Sequence, residues 1–336
     1  MKALLQKVVE GKDLTREEAA RAMDIMLEGA APEVLVSAFL TALRMKGETV
    51  EEIIGCCEMM KSKGGSIHLD TDEYIDFVGT GGDGTNTFNV STTSMFVCAA
   101  AGVMLAKHGN RAASSKSGSA DLLEALGVNI MLEPEQVEEC VKATGMGFMN
   151  AQKFHKAMKN VAPIRKELGI RTIFNMLGPL SNPSGATRQV IGVFSRDMVP
   201  VFAMVMKEMG VQNAMVICGS YGMDEITVTG TTYVNEIRDG KITAYEIDPH
   251  DYGIEYATAD DIKGGTGAEN AEIAKAIFAG EKGAKRDIVV LNSAAGIYMG
   301  CKAKSYADAV DIARSVIDSG RVMEKVEEFV AFTNKF

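Results

Sequence analysis

The run GTGGDGTNTFNVST, Gly79 to Thr92, sets four glycines within six positions between a stretch that reads as a strand and one that reads as a helix. Glycine admits positive φ and lets backbone N–H groups approach an anion closely, and a helix start adds the positive end of its dipole. Asn89, Ser91 and Thr92 supply side-chain donors at the same point. The segment reads as a phosphate cradle on a strand–turn–helix unit, which commits the chain to an α/β layer. Gly79, Gly81 and Gly84 also satisfy GxGxxG, so a dinucleotide site must be weighed. The next strand-like run, however, ends on Lys107 and His108, where a dinucleotide fold needs a carboxylate for the ribose.

Around this cradle, strand-like and helix-like stretches alternate. Tyr74–Val78, Val103–Ala106, Val190–Phe194, Ala214–Cys218 and Ile226–Val228 read as strands. Helices are expected over Thr92–Ala101, Ser119–Leu126 and Gln136–Thr144, and again after Glu269, Arg286, Ala303 and Arg321. Such alternation implies a mostly parallel central sheet flanked by helices.

The first 65 residues differ. Thr15 with Glu18 and Thr49 with Glu52 make capping-box patterns, Pro32 suits a first helical turn, and Gly11, Gly29, Gly47 and Gly64 stop the helices. We expect a small N-terminal helical domain, residues 1–70, joined by helices from about 162–185, and a larger α/β domain over 71–336. Val34, Leu35, Ala38, Phe39, Ala42, Leu43 and Met45 wrap apolar surface around much of one helix, enough for the body and a second subunit. A homodimer through these helices is expected, with an internal bundle as the competing reading.

A second loop, KHGNRAASSKSGSADLLEALG, sets Lys107, Arg111 and Lys116 among serines and glycines at the end of the next strand. Its composition suits a second phosphate group, so the two loops together imply a substrate with separated phosphates. Asp224 and Glu225 stand in a turn where both can serve one cation, and Mg²⁺ binds through one or two carboxylates plus phosphate oxygens. Arg165, after Pro163, could pair with a substrate carboxylate, or simply with Glu167 at the surface. Neither GxSxG nor HExxH occurs, so a serine triad or a zinc protease has no support.

Charge bounds the partners. With 45 acidic against 35 basic residues the formal charge is -10, which argues against nucleic acid and anionic membranes as partners. Six cysteines without metal-ligand spacing read as reduced thiols of a cytoplasmic protein, and no run is long enough to span a bilayer.

In order along the chain, the two loops, VAPIRKELGIRTIFNMLGPLSNP (Val161–Pro183) and MDEI (Met223–Ile226) resemble the motifs of the anthranilate phosphoribosyltransferase family, related to the pyrimidine nucleoside phosphorylases. The resemblance spans essentially the whole chain. It implies transfer of phosphoribose from 5-phosphoribosyl 1-diphosphate to the amino group of anthranilate, a step of tryptophan biosynthesis. The donor would be held by Gly79, Gly82, Asp83, Thr87, Asn89, Val90, Ser91 and Thr92, then by Lys107, His108, Gly109, Asn110, Arg111, Ala112, Ala113, Ser114, Ser115 and Ser119. Gly79, His108, Asn110, His155, Arg165 and Gly178 would surround anthranilate. Ser91, with Asp224 and Glu225, would hold Mg²⁺, two ions per subunit. The chain departs from the family at FMNAQKFHKAM (Phe148–Met158), where Asn150, Gln152 and Lys156 are unusual, and at Cys218 and Tyr221. A pyrimidine nucleoside phosphorylase, or a related transferase with another aromatic acceptor, is the alternative; SKSGS at Ser115–Ser119 departs from the phosphorylase pattern.

Overall fold

A computed structural model describes residues 1–112 and 115–336. Ala113 and Ser114, expected in the donor site, lie outside the described residues.

Four helices open the chain: α1 (Lys2–Val9), α2 (Arg16–Leu27), α3 (Glu33–Lys46) and α4 (Val50–Ser62). Both expected capping boxes form, Thr15 with Glu18 and Thr49 with Glu52, satisfying N–H groups that a helix start leaves open. Pro32 stands at the N-cap of α3 rather than inside its first turn. Glu52 does more than cap: fully buried, it accepts the Leu14 N–H at 2.9 Å and pairs with Lys46 at 3.0 Å. These helices pair as α1 with α3 and α2 with α4.

Next come β1 (Tyr74–Gly79), α5 (Val90–Ala100), β2 (Met104–Gly109), α6 (Ser119–Ala125), α7 (Pro134–Thr144) and β3 (Met146–Asn150). Three short helices follow: α8 (Ala151–Phe154), α9 (Ala162–Leu168) and α10 (Phe174–Leu180). The second half holds β4 (Arg188–Gly192), α11 (Met198–Glu208), β5 (Asn213–Gly219), β6 (Thr232–Arg238) and β7 (Lys241–Ile247). Four helices close the chain: α12 (Gly267–Phe278), α13 (Ala284–Met299), α14 (Tyr306–Asp318) and α15 (Arg321–Thr333). Among the described residues the strands form one sheet in the order β3-β2-β1-β4-β5-β6-β7. The pairs from β3 to β5 are parallel, and β6 and β7 add an antiparallel edge.

Each face of the sheet buries its own core. Ile75 and Phe77 lie with α5 and α13, where Phe96 packs edge-on against Phe278 and Phe329. Ile191, Val193 and Val216 lie on the other side with α11, and this core continues into α2, α3, α4, α9 and α10. The broken segment after Ala162 thus shares a core with the N-terminal helices.

Ile226–Val228 is not a strand. The Ile226 N–H goes to Asn292 Oδ1 and that of Thr227 to Thr232 Oγ1, so side chains take the donors that a ladder would use. Their apolar side chains are buried, which produced the strand-like pattern without a neighbouring strand to pair with. Conversely β3, β6 and β7 were not expected. In β3, Met146–Asn150 is buried at every position and gives no alternation.

Candidate functional site

The carboxyl ends of β1, β2, β4 and β5 carry the loops that matter, the usual position of a ligand crevice in an open α/β sheet. After β1, Gly81, Gly82 and Gly84 take φ of +68°, +70° and +77° and Asn86 takes +55°, a left-handed run open to glycine and asparagine. Asp83 braces the turn by accepting from the Thr85 amide at 3.2 Å and its hydroxyl at 2.5 Å. Thr87 bridges to Lys263. Asn89 does not cap α5 with its side chain. Instead it links the loops after β1 and β2: its Nδ2 donates to the Ser117 carbonyl at 3.0 Å, and its Oδ1 accepts from Ser117 Oγ and Asn270 Nδ2, both at 2.8 Å. Val90 and Thr92 are buried in the first turn of α5.

The acidic pair closes onto this cradle. Asp224 Oδ2 accepts the Gly81 N–H at 2.6 Å, and Glu225 Oε1 accepts the Ser91 N–H at 3.3 Å. A methyl group at Gly79 would stand 2.3 Å from Asp224 Oδ2, and one at Gly192 only 1.6 Å from the Asp224 carbonyl oxygen. The two strand ends must lack Cβ atoms for the acidic turn to sit there. Asp224 and Glu225 are 9% and 7% exposed, and Glu225 Oε2 has no hydrogen-bond partner among the described residues. Burial, helped by the nearby charge of Asp83, pushes the Asp224 pKa up to about 7. Burial and the neighbouring Asp224 also push Glu225 well above the usual carboxylate range. Two buried carboxylates with an unpaired oxygen fit a hard cation, which would favour their charged forms. Among the described residues no group of three or more His, Cys, Asp or Glu is arranged to hold a metal. A cation here would complete its shell with water and ligand oxygens.

Beneath the cradle Lys107 is 1% exposed, its Nζ donating to the Phe77 carbonyl. Burial lowers its pKa, while Asp76, Glu225 and Asp224 favour the charged form. Asp76 itself is fully buried in β1, with a pKa raised to about 6 by burial and opposed by Lys107 and Asn182.

On the second loop, Arg111 turns onto α6, 3.0 Å from Asp121 and 2.8 Å from Glu124. Asp121 organises the loop as well, accepting the Ala112 N–H at 3.0 Å and the Gly118 N–H at 2.8 Å. Asn110 Oδ1 accepts the Arg111 N–H at 2.8 Å. Ser115 Oγ donates to the Ser117 carbonyl at 3.3 Å. Gly109 backs onto Ser119, whose Oγ would lie 3.0 Å from an added Cβ.

His108 and His155 meet edge to face with ring centroids 5.0 Å apart. Burial takes the His108 pKa down to about 3, His155 adding to the shift and the Gly178 backbone opposing it, and burial takes His155 down to about 4. Both are neutral at pH 7, and His108 Nε2 is buried with no hydrogen-bond partner among the described residues. Arg165 lies 5.3 Å from the Phe174 ring centroid. No ion pair to it occurs among the described residues, so the competing Glu167 bridge does not form here.

Sequence reasoning does not single out Asp76, Asp121, Asn182, Asn270 or Arg171 in this region, whereas Ser117 is among the serines it places in the second loop. Only Asp76, an acid inside an apolar strand, carried a usable signal.

Comparison with known proteins agrees with this geometry. Residues 2–64 match the helical bundle domain of the glycosyl transferase family and residues 71–323 its a/b domain. An anthranilate phosphoribosyltransferase of Acetivibrio thermocellus is 54% identical over 336 residues, covering 100% of this chain and 97% of the relative. The chain belongs to the anthranilate phosphoribosyltransferase family. Another member, from Methanobrevibacter smithii, is 51% identical over 99% of both chains. The crystal structure of the Thermus thermophilus enzyme superposes with a TM-score of 0.93 at 41% identity, covering 98% of this chain and 99% of the other. The Saccharomyces cerevisiae enzyme in complex with phosphoribosyl diphosphate and Mg superposes at 0.91 with 26% identity, over 99% of this chain and 98% of that one. The family fold, a small helical unit beside a mostly parallel α/β layer, is thus the fold of this chain. No helix among the described residues is long and apolar enough to cross a membrane.

Proposed function

We propose that this chain transfers the phosphoribosyl group of 5-phosphoribosyl 1-diphosphate to the amino nitrogen of anthranilate, with release of diphosphate. One observation carries the chemistry: Asp224 and Glu225 are buried directly against the N–H groups of the glycine cradle and of the α5 start. Carboxylates in an anion cradle make sense with a cation between them and the anion. Ser91, Asp224 and Glu225 would hold Mg²⁺, two ions per subunit, which when bound would neutralise charge developing on the departing diphosphate.

The remaining work falls to this chain's residues. Gly79, Gly82, Asp83, Thr87, Asn89, Val90, Ser91 and Thr92 present backbone and side-chain groups to the donor, and the second loop from Lys107 to Ser119 encloses its other phosphate. Arg165 and Asn110 orient the anthranilate carboxylate and amine, with Gly79, His108, His155 and Gly178 shaping the pocket. The aniline nitrogen is a neutral nucleophile and loses its proton as the new C–N bond forms, so placement rather than a strong base is required. The neutral histidines suit a wall that contacts an aromatic acceptor without competing for its carboxylate.

Residues 1–70 and 71–336 are taken as two domains. A homodimer through the N-terminal helices is supported by Val34 and Met45 of α3, which stand 73% and 83% exposed on its outer surface. A cytoplasmic site of action accords with the five buried free thiols.

Loss of anthranilate fluorescence on mixing with phosphoribosyl diphosphate and Mg²⁺ tests the reading. Folded protein that gives no loss, yet cleaves a pyrimidine nucleoside with inorganic phosphate, would establish the phosphorylase alternative instead.

A further inference from the structure

Arg171 lies in the link between α9 and α10, six residues beyond Arg165. Its guanidinium carbon stands 3.8 Å from the centroid of the Phe194 ring, and its Nη2 donates to the carbonyl of Gly82 in the cradle. A Cβ at Gly82 would be 3.7 Å from that nitrogen, so the loop and the arginine are in contact. Phe194 follows β4, and its carbonyl closes on Gly222, where an added Cβ would lie 2.8 Å away. Gly222 leads into the acidic turn. Arg171 thus joins the donor loop, the support of the acidic pair and the segment that carries Arg165.

We propose that Arg171 is a positioning residue that sets the orientation of the Gly82–Asp83 peptide for the donor diphosphate. Left-handed φ at Gly81, Gly82 and Gly84 makes this turn the least self-determined part of the cradle, because glycine loses the most conformational freedom on ordering. In a trans peptide the carbonyl and the following N–H point opposite ways. With the Gly82 carbonyl held by Arg171, the Asp83 N–H faces away from the arginine, and it has no protein acceptor among the described residues. That free donor is what an anion cradle needs. A planar guanidinium stacked on a ring can hold one direction, which a lysine ammonium cannot reproduce.

The inference rests on the donor assigned above, and calorimetric binding of Mg²⁺–phosphoribosyl diphosphate tests it without the acceptor. Arg171→Ala should raise the donor Kd and KM about tenfold. The anthranilate KM should move less than about twofold, and the Gly81–Gly84 amides should exchange hydrogen faster. Arg171→Lys should fall nearer to Arg171→Ala than to the parent. Phe194→Leu should reproduce part of the loss, and the Arg171→Ala, Phe194→Leu double variant should bind no worse than Arg171→Ala alone. Unchanged donor affinity in Arg171→Ala, or equal rises in both KM values accompanied by a lowered Tm, overturns the assignment. A parent protein that binds the donor but leaves anthranilate unreacted removes the proposed acceptor, while the Kd ratio still decides Arg171. A parent protein that does not bind the donor overturns both.

Discussion

The Asp224 carboxylate accepts the Gly81 N–H at 2.6 Å, so a residue of the acidic turn is fixed to the glycine-rich loop after β1 across 143 positions of chain. The bond favours the charged form of Asp224, but burial, with the nearby Asp83, outweighs it and makes the acid costly to ionise. Its folded pKa of about 7 lies above the ordinary value of 3.8.

Asp224→Asn tests that cost. For an acid with a raised folded pKa, the unfolded chain ionises first, so metal-free stability falls as pH rises from about 4 to about 7. The variant should lose this fall and melt higher than the parent at pH 8 without metal, by thermal denaturation, while its kcat drops about a hundredfold or more. In the parent, Mg²⁺ affinity should increase as pH rises through about 7, because the ligand must shed its proton.

Gly79 and Gly192 should respond differently to alanine. A methyl at Gly79 meets a side-chain oxygen at 2.3 Å, whereas at Gly192 it meets backbone at 1.6 Å. Gly79→Ala should fold but displace Asp224, giving a higher Mg²⁺ requirement in steady-state assays. Gly192→Ala should lose more than about 3 kcal/mol in urea denaturation.

Arg165→Ala should raise the KM for anthranilate at least about tenfold and that for phosphoribosyl diphosphate far less. Equal changes would remove Arg165 from the acceptor site. Its guanidinium has no ion pair to lose among the described residues, so the change in Tm should be small.

Chelation with EDTA should abolish turnover reversibly. Added Mg²⁺ restores it, and Ca²⁺, which demands more ligands than two carboxylates and a diphosphate readily arrange, should restore less. Initial rates of anthranilate loss provide the measurement.

The chain's acidity needs no exception for a polyanionic substrate. In the proposed reading Lys107 and the N–H groups of two loops would make a local anion site, while Arg111, counted with them from its position, is engaged by Asp121 and Glu124. Nearest neighbours in the chain could not show that pairing, because α6 turns back over the loop only once it is folded.

Local signals were readable because their causes are local. Thr15 with Glu18 and Thr49 with Glu52 specify helix starts within four residues, and the glycines from Gly79 to Gly84 specify a left-handed turn. The family was legible too, because its motifs are contiguous stretches of chain. Tertiary structure alone decided what lies far apart in sequence: Asp224 on Gly81, Asn270 on Asn89, Arg171 on Phe194, and the buried Asp76 beside Lys107. It also withheld strand pairing from Ile226–Val228, whose donors found Asn292 and Thr232 instead. A sequence pattern reports which side chains prefer burial, whereas pairing and charge balance depend on which distant groups arrive there together.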